Sequence, residues 1–231
     1  MGSNYKVQYN VDLVFCIDAT ASMGGLLNMV KNHALCFHRD LTESMAQKRK
    51  SINELRVRLV AFRDYKFDGK DAMMTTNFFN MPAEQDLFER SIRGVEAFGG
   101  GDDPEDGLEA LAYAIRSRWS EGGVGIKRRQ VIVVWTDAAT HPLWFGNVEK
   151  TYPREYMAKD FGELTAWWGD AENAGFMDKN AKRLLLYTPD LPFWNTIADN
   201  WDNVLHFPSE AGKGLDKLNY SEIIDTISNS I

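Results

Sequence analysis

The 231-residue chain holds only two cysteines, four histidines and seven prolines. Two cysteines cannot build a disulfide framework. Cys16 sits inside the apolar run Leu13-Val14-Phe15-Cys16-Ile17 and reads as a buried, inert thiol. His33, His38, His141 and His206 show no metal-ligand spacing. Positive charge is scarce, with 26 Lys plus Arg against 33 Asp plus Glu and a net charge of −7. There is no basic stripe to neutralise phosphates, so nucleic acid is not an expected partner. Lys48-Arg49-Lys50 and Lys127-Arg128-Arg129 read as solvated ends of elements. No apolar run reaches ~18 residues and no basic-then-apolar leader opens the chain, which predicts no membrane span and a cytoplasmic location. Walker, G-x-G-x-x-G and Ser-His-Asp patterns are absent, which removes support for most enzyme classes.

What the chain does have is apolar and aromatic mass. Hydrophobic residues make up 44%, with 13 Phe, 8 Tyr and 7 Trp, far from the composition of disorder. No internal repeat or linker interrupts it, so a single domain over residues 1–231 is expected. Val11 to Ile17 and Val131 to Trp135 are almost wholly apolar, as in strands covered on both faces. Leu55 to Phe62, Leu184 to Tyr187 and Val204 to Phe207 are further strands, and Met73 to Met81 is polar enough for an edge.

Leu26, Val30, Ala34, Phe37, Leu41 and Met45 form the stripe of one long helix. Leu108, Leu111, Ala112, Ile115 and Trp119 form another, Leu87, Phe88, Ile92 and Val95 a shorter one, and Ile223, Ile224, Ile227 and Ile231 a terminal one. Strands separated by helices predict an α/β fold, a Rossmann-like, doubly wound and mostly parallel sheet. Its ligand crevice should lie beyond the carboxyl ends of the strands, where the strand order reverses.

Three loops at that edge are rich in oxygen donors. The first strand runs into Asp18-Ala19-Thr20-Ala21-Ser22, a carboxylate followed by two hydroxyls at alternate positions. Oxygen-only ligation is what Mg²⁺ prefers. A plainer reading makes Ser22 the cap of the next helix and Asp18 and Thr20 turn residues. Gly99-Gly100-Gly101-Asp102-Asp103-Pro104-Glu105-Asp106 precedes a helix, and Thr136-Asp137 ends another buried strand. Carboxylates converging there would repel one another without a cation. Pro104 suits the first helical turn, which makes Asp103 the N-cap, lets Asp106 complement the helix dipole and leaves Asp102 spare.

These loops, in this order, resemble the von Willebrand factor type A domain with its metal-ion-dependent adhesion site. That family's first loop, D-x-S-x-S, is matched by Asp18-Ala19-Thr20-Ala21-Ser22, with Thr for the first Ser. Its second loop places a Thr after a glycine pair, where this chain has Asp102, and its third supplies an Asp, often as T-D, matched by Thr136-Asp137. The G-G-G-D-x-P-E run, with Phe62-Arg63-Asp64-Tyr65, is similar to intracellular members attached to alpha-kinases. It is also similar to small bacterial members encoded beside kinases, phosphatases and tellurite-resistance proteins. The resemblance spans Val11 to Ile231.

The resemblance implies a six-stranded sheet with one antiparallel edge strand, Met73 to Met81, between two helix layers. It implies Mg²⁺ or Mn²⁺ at Asp18, Thr20, Ser22, Asp102 and Asp137. The implied activity is binding, not catalysis, with a partner's Asp or Glu filling the open metal position. The partner would be another protein, such as a kinase, phosphatase or ATPase encoded nearby, with no nucleic acid and no membrane.

Asp102 departs from the pattern. With Asp18, Asp102 and Asp137 ionised, three negative charges face the two positive charges of the ion, so a partner carboxylate is attracted less. Ala138 to Lys182 forms an extended, aromatic-rich insertion in which Trp144, Phe145 and Tyr152 are either partner contacts or loop packing. Trp167 and Trp168 belong to a packing helix, and His141 is an ordinary loop residue or a support behind Asp137.

Three functions compete. One is a metal-dependent binding adaptor, and another is a scaffold whose metal is structural or absent. The third is a Mg²⁺-dependent phosphohydrolase, which needs a second carboxylate where this chain has Thr20.

Overall fold

The computed structural model describes residues 7–101, 103–121 and 125–231. Its strands are β1 (Val7–Asp18), β2 (Lys50–Phe62), β3 (Met73–Thr75), β4 (Phe79–Met81), β5 (Lys127–Trp135), β6 (Lys182–Tyr187) and β7 (Val204–His206). Its α-helices are α1 (Gly24–His33), α2 (Phe37–Gln47), α3 (Tyr65–Asp68), α4 (Gln85–Arg93), α5 (Gly107–Ile115), α6 (Phe161–Trp168), α7 (Trp194–Asn200) and α8 (Tyr220–Ser230).

The sheet order is β3-β2-β1-β5-β6-β7, with β4 also paired to β2. β1 lies between β2 and β5, parallel to both, and is buried from Tyr9 to Asp18. Side chains alternate between the sheet's faces. Val11, Leu13, Phe15 and Ile17 join the core that holds Leu41, Phe88 and Ile227, whereas Val14 and Cys16 join the one that holds Leu111, Trp168 and Trp194. Two apolar faces explain why β1 reads as a continuous hydrophobic run. Cys16 is fully buried, which pushes its thiol up to about 12 and leaves it inert.

Three expectations are corrected in detail. The long helix predicted through Leu26 and Met45 is two helices, α1 and α2, separated at Ala34–Cys36, where Cys36 N–H bonds the closer carbonyl of His33. At the break the His33 ring stacks on Tyr220 of α8, 3.8 Å away. The stripe survives the break, because Leu26, Ala34, Phe37, Leu41 and Met45 all stay buried.

The edge strand predicted over Met73 to Met81 is two short strands. Both run antiparallel to β2, with Phe62 opposite Met73 and Leu55 opposite Met81. Between them the ladder shifts by one residue, and the Thr76 hydroxyl takes the Leu59 N–H. This is how a bulge accommodates an extra residue on one strand. The third correction concerns α5, which begins at Gly107, so Pro104 precedes the helix and Asp103 does not cap it.

From β1 the sheet extends to β2 on one side and to β5, β6 and β7 on the other, so the strand order reverses between β1 and β5. The carboxyl ends of those two strands carry Asp18 and the Thr136-Asp137 pair. No helix of the described residues is long and apolar enough to cross a membrane.

Candidate metal centre

Asp18 is the last residue of β1 and has no solvent exposure. Its Oδ1 accepts from the Thr20 hydroxyl at 2.6 Å and the Thr20 N–H at 2.8 Å. Its Oδ2 accepts from the Thr136 hydroxyl at 2.6 Å. Ser22 donates to Asp137 Oδ1 at 2.9 Å and stands 3.5 Å from the Thr20 hydroxyl. The alternate spacing of Asp18, Thr20 and Ser22 thus turns all three side chains into one network with Asp137. Ser22 does not cap a helix, since it lies within a short 3-10 turn over Ala21–Met23.

Asp137 is braced from the opposite side by the loop between β7 and α8. Gly214 N–H donates to Asp137 Oδ2 at 2.7 Å, Gly212 N–H to its carbonyl at 2.9 Å, and the Ser209 hydroxyl to the carbonyl of Thr136 at 3.2 Å. Gly214 has φ +60°, and a side chain there would run into the carbonyl of Ser22. Only glycine lets the loop come this close. A cavity of about 690 Å³ is lined by Tyr187, Phe207, Leu215 and Leu218 together with Glu210, Asp216 and Glu222, and by neither Asp18 nor Asp137.

Asp102 lies outside the described residues. From the same loop the structure brings in Glu105, which the sequence reading passed over as the start of a helix. Its backbone instead forms a parallel bridge with Thr140, donating to the Ala139 carbonyl and accepting from His141 N–H. Asp103 accepts from Ala139 N–H, a further tie between the two loops. The Glu105 side chain is buried beside Thr20, and its Oε2 has no hydrogen-bond partner among the described residues. A methyl group on Gly100 would fall 2.8 Å from Glu105 Oε1 and 3.0 Å from Thr20 Cγ2. Glycine therefore keeps that gap open. The clue in the sequence was a glutamate four residues past a glycine run, with no cation near it in the chain.

Burial pushes Asp18 up to about 6, against the Thr136 and Thr20 hydrogen bonds and with help from the charge of Asp137. Burial, and then the charges of Asp18, Asp64, Asp68 and Asp106, push Glu105 up to about 10. Farther from Asp137 lies a second buried acidic group. Asp64 Oδ2 stands 2.9 Å from His141 Nε2, so His141 pairs with Asp64 and makes no hydrogen bond to Asp137. Asp106 accepts from Tyr65 N–H, and Glu109 from the Tyr152 hydroxyl. Burial raises Asp106 to about 8 and Glu109 to about 7.

The three insertion aromatics separate in role. Tyr152 is buried and spends its hydroxyl on Glu109. Trp144 is half-buried, donates its indole N–H to the Ala158 carbonyl at 2.7 Å and holds a left-handed φ of +73°. Both are engaged in packing. Phe145 is exposed and stacks on His141 at 3.7 Å. Trp168 is fully buried in α6, the expected packing helix.

Among the described residues no three Asp, Glu, His or Cys side chains are gathered closely enough to hold a metal by themselves. The set does fit a hard divalent cation once the hydroxyls are counted. Asp18, Thr20, Ser22 and Asp137 offer only oxygen, which is the ligation Mg²⁺ takes.

The family model described as the von Willebrand factor A domain matches residues 12–142. No curated protein sequence matches the chain. Among solved structures, the pilus adhesin SpaC from Lactobacillus rhamnosus GG is similar at a TM-score of 0.51 and 10% identity, covering 95% of this chain and 30% of the adhesin. Proximal thread matrix protein 1 from the mussel byssus gives a TM-score of 0.48 at 10% identity, covering 97% of this chain and 49% of that one. The von Willebrand factor domain of the pilus tip protein Mfa5 from Porphyromonas gingivalis gives 0.37 at 18% identity, covering 58% and 39%. The chain thus spans 30% of the length of the adhesin and less than half of each of the other two.

Proposed function

Because the chain belongs to the von Willebrand factor A domain family, we propose that it is a metal-dependent protein-binding module and not an enzyme. Asp18, Thr20, Ser22 and Asp137 would hold Mg²⁺ or Mn²⁺ at the switch point of the sheet, with Asp102 contributing from the second loop. The bound ion supplies a Lewis-acidic position that an oxygen of the partner can fill. The observation that carries this reading is the unbroken hydrogen-bonded chain from Thr136 through Asp18, Thr20 and Ser22 to Asp137. Polar residues far apart in sequence converge there, and Asp18, Thr20, Thr136 and Asp137 are buried.

The chain's own residues divide the work. Thr136 fixes Asp18, and the Gly212–Gly214 loop fixes Asp137, so the donors are positioned before any ligand arrives. Exposed Phe145 extends this face toward a partner from the insertion. The partner is a protein, with a kinase, phosphatase or ATPase encoded nearby as the first to try, and the setting is the cytoplasm.

Calorimetric titration with Mn²⁺ should find one site, lost in Asp18→Ala. Capture from the native host should then depend on Mg²⁺ and on Asp18. Undiminished Mn²⁺ binding by Asp18→Ala would sink the metal assignment. Capture that ignores both metal and mutation would leave a scaffold, closed by its own hydroxyl–carboxylate bonds.

A further inference from the structure

We infer that the amino-terminal edge of the sheet, opposite the metal centre, is a docking surface for an extended acidic segment of a partner protein, with Lys50, Lys127, Arg129 and Arg183 as its cations. The inference goes beyond the metal-dependent reading and does not rest on it. Two basic runs far apart in the sequence, Lys48-Arg49-Lys50 and Lys127-Arg128-Arg129, lead into β2 and β5. The parallel register brings them to one edge with β1 between them. Lys50 lies opposite Val7, Lys127 opposite Tyr9 and Arg129 opposite Val11. On β6, Arg183 lies opposite Val131 of β5. Residues two apart share a face of the sheet, so all four side chains stand on the face of Tyr9, where Ile223 and Ile227 of α8 also pack.

These cations crowd one another. The Lys50 and Lys127 ammonium groups each lie 6.0 Å from the centre of the buried Tyr9 ring, and the Arg129 guanidinium lies 5.2 Å from it. Burial, and then the charges of Arg129, Lys48 and Lys127, lower Lys50 below the ordinary lysine range. Burial, and then Arg129, lower Arg183 in the same way, against the charge of Asp202. Neighbouring Lys48 and Arg128 are answered by Asp225 and Asp178. Among the described residues, Lys50, Lys127, Arg129 and Arg183 make no ion pair.

The plainer role for these residues is to cap α8. Lys50 donates to the Ser228 carbonyl at 3.3 Å, and Arg129 Nε to the main-chain oxygen of Ile231 at 2.9 Å. A helix C-terminus carries only about half a negative charge, far less than four cations. Even a full negative charge at Ile231 would answer only one of them. Across β2, β1, β5 and β6 the cations span three strand spacings, ~14 Å, the reach of roughly four to five extended residues. Carboxylates along such a segment can meet them in turn. Nucleic acid fits less well, because its binders neutralise ~6–10 phosphates. The rest of this chain, with a net charge of −7, also repels a long polyanion.

The test is fluorescence anisotropy of a labelled hexaglutamate peptide with the full chain, in chelator so that the metal centre takes no part. The parent should bind, and raising salt from about 50 to about 200 mM should weaken it. Lys127 is exposed and Lys50 half-buried, so Lys50→Ala with Lys127→Ala should not lower the melting temperature. That variant should bind the peptide ~5-fold more weakly or worse, since one exposed ion pair is worth up to about that factor. Lys150→Ala with Lys159→Ala removes the same charge from exposed positions of the insertion and should change binding by less than ~2-fold. Asp18→Ala should bind as the parent does. No binding by the parent, binding indifferent to salt, or a loss below ~5-fold at Lys50 and Lys127 overturns the inference. Equal losses in the two lysine pairs would show that net charge alone draws the peptide, which overturns it too. If single-stranded DNA of the same charge binds more tightly than the peptide and is lost with Lys50 and Lys127, the edge takes nucleic acid and the acidic-protein proposal falls.

Discussion

Thr136 donates its hydroxyl to Asp18 Oδ2 at 2.6 Å, joining the end of β5 to the end of β1 across the switch point of the sheet. The same Thr136 oxygen accepts from Ala138 N–H, which turns the chain toward the loop beyond Asp137. Thr136→Val keeps the shape and removes both bonds. A buried carboxylate oxygen left without its donor costs about 1–3 kcal/mol. Chemical denaturation in the presence of a chelator should show a loss of that size, and Mn²⁺ affinity should fall with it. An unchanged unfolding midpoint would mean that Asp18 does not depend on this bond.

Gly214 gives a second prediction. Its φ of +60° and its contact with the Ser22 carbonyl leave no room for a side chain. Gly214→Ala should destabilise by more than about 1 kcal/mol, because the native conformation is incompatible with a Cβ. The strain would also pull the Gly214 N–H away from Asp137. Weaker Mn²⁺ binding should accompany a lower melting temperature, and a mutant that loses neither would show that the loop does not brace the site.

The pH dependence of the metal-free protein should be unusual. Asp18 is raised to about 6, Glu109 to about 7, Asp106 to about 8 and Glu105 to about 10, in each case mainly by burial. Ordinary carboxyl values are 3.8 and 4.5, so between these and about 10 the folded chain holds protons that the unfolded chain has released. Stability supplied by these groups is therefore greatest on the acid side and declines as pH rises through that window. Urea midpoints in chelator should fall from pH 5 to pH 9, and saturating Mn²⁺ should flatten the decline. A midpoint that rises over that range would contradict this prediction.

Tyr152 tests the packing role of the insertion. Its hydroxyl donates to Glu109 Oε1 at 2.7 Å, and Oε2 of the same carboxylate has no partner among the described residues. Tyr152→Phe should lower stability by about 1–3 kcal/mol while leaving Mn²⁺ affinity unchanged. Loss of metal binding at unchanged stability would instead put Tyr152 in the site.

The proposal that the chain is not an enzyme is directly testable. A phosphohydrolase of this layout needs a second carboxylate two residues after Asp18, where Thr20 stands. Aryl phosphate should show no Mg²⁺-dependent turnover. Turnover lost in Asp18→Asn would make the chain an enzyme after all.

The apolar runs of β1 and β5 were legible because both faces of those strands are buried, so their hydrophobicity shows without any partner in view. The helical stripes were legible for the same reason, as periodicity is a local property. The break between α1 and α2 was not, because the stripe continues across it and its partner, Tyr220, lies almost at the other end of the chain. Asp18, Thr20, Ser22 and Asp137 stand out through the resemblance of their loops to the von Willebrand factor A pattern, since their spacing alone fits turn and cap residues equally well.

Glu105 could not be chosen that way. Pro104 argued for a helix start, and only the pairing of Glu105 with Thr140, on a distant loop, holds that segment extended and puts the carboxylate beside Thr20. Tyr152 and Phe145 are equally aromatic in the sequence, yet one is buried against Glu109 and the other exposed on His141. The sequence by itself determined which segments must be buried and which loops carry oxygen. Tertiary structure alone decided which of those oxygens are left without a partner, because that depends on neighbours dozens of residues away.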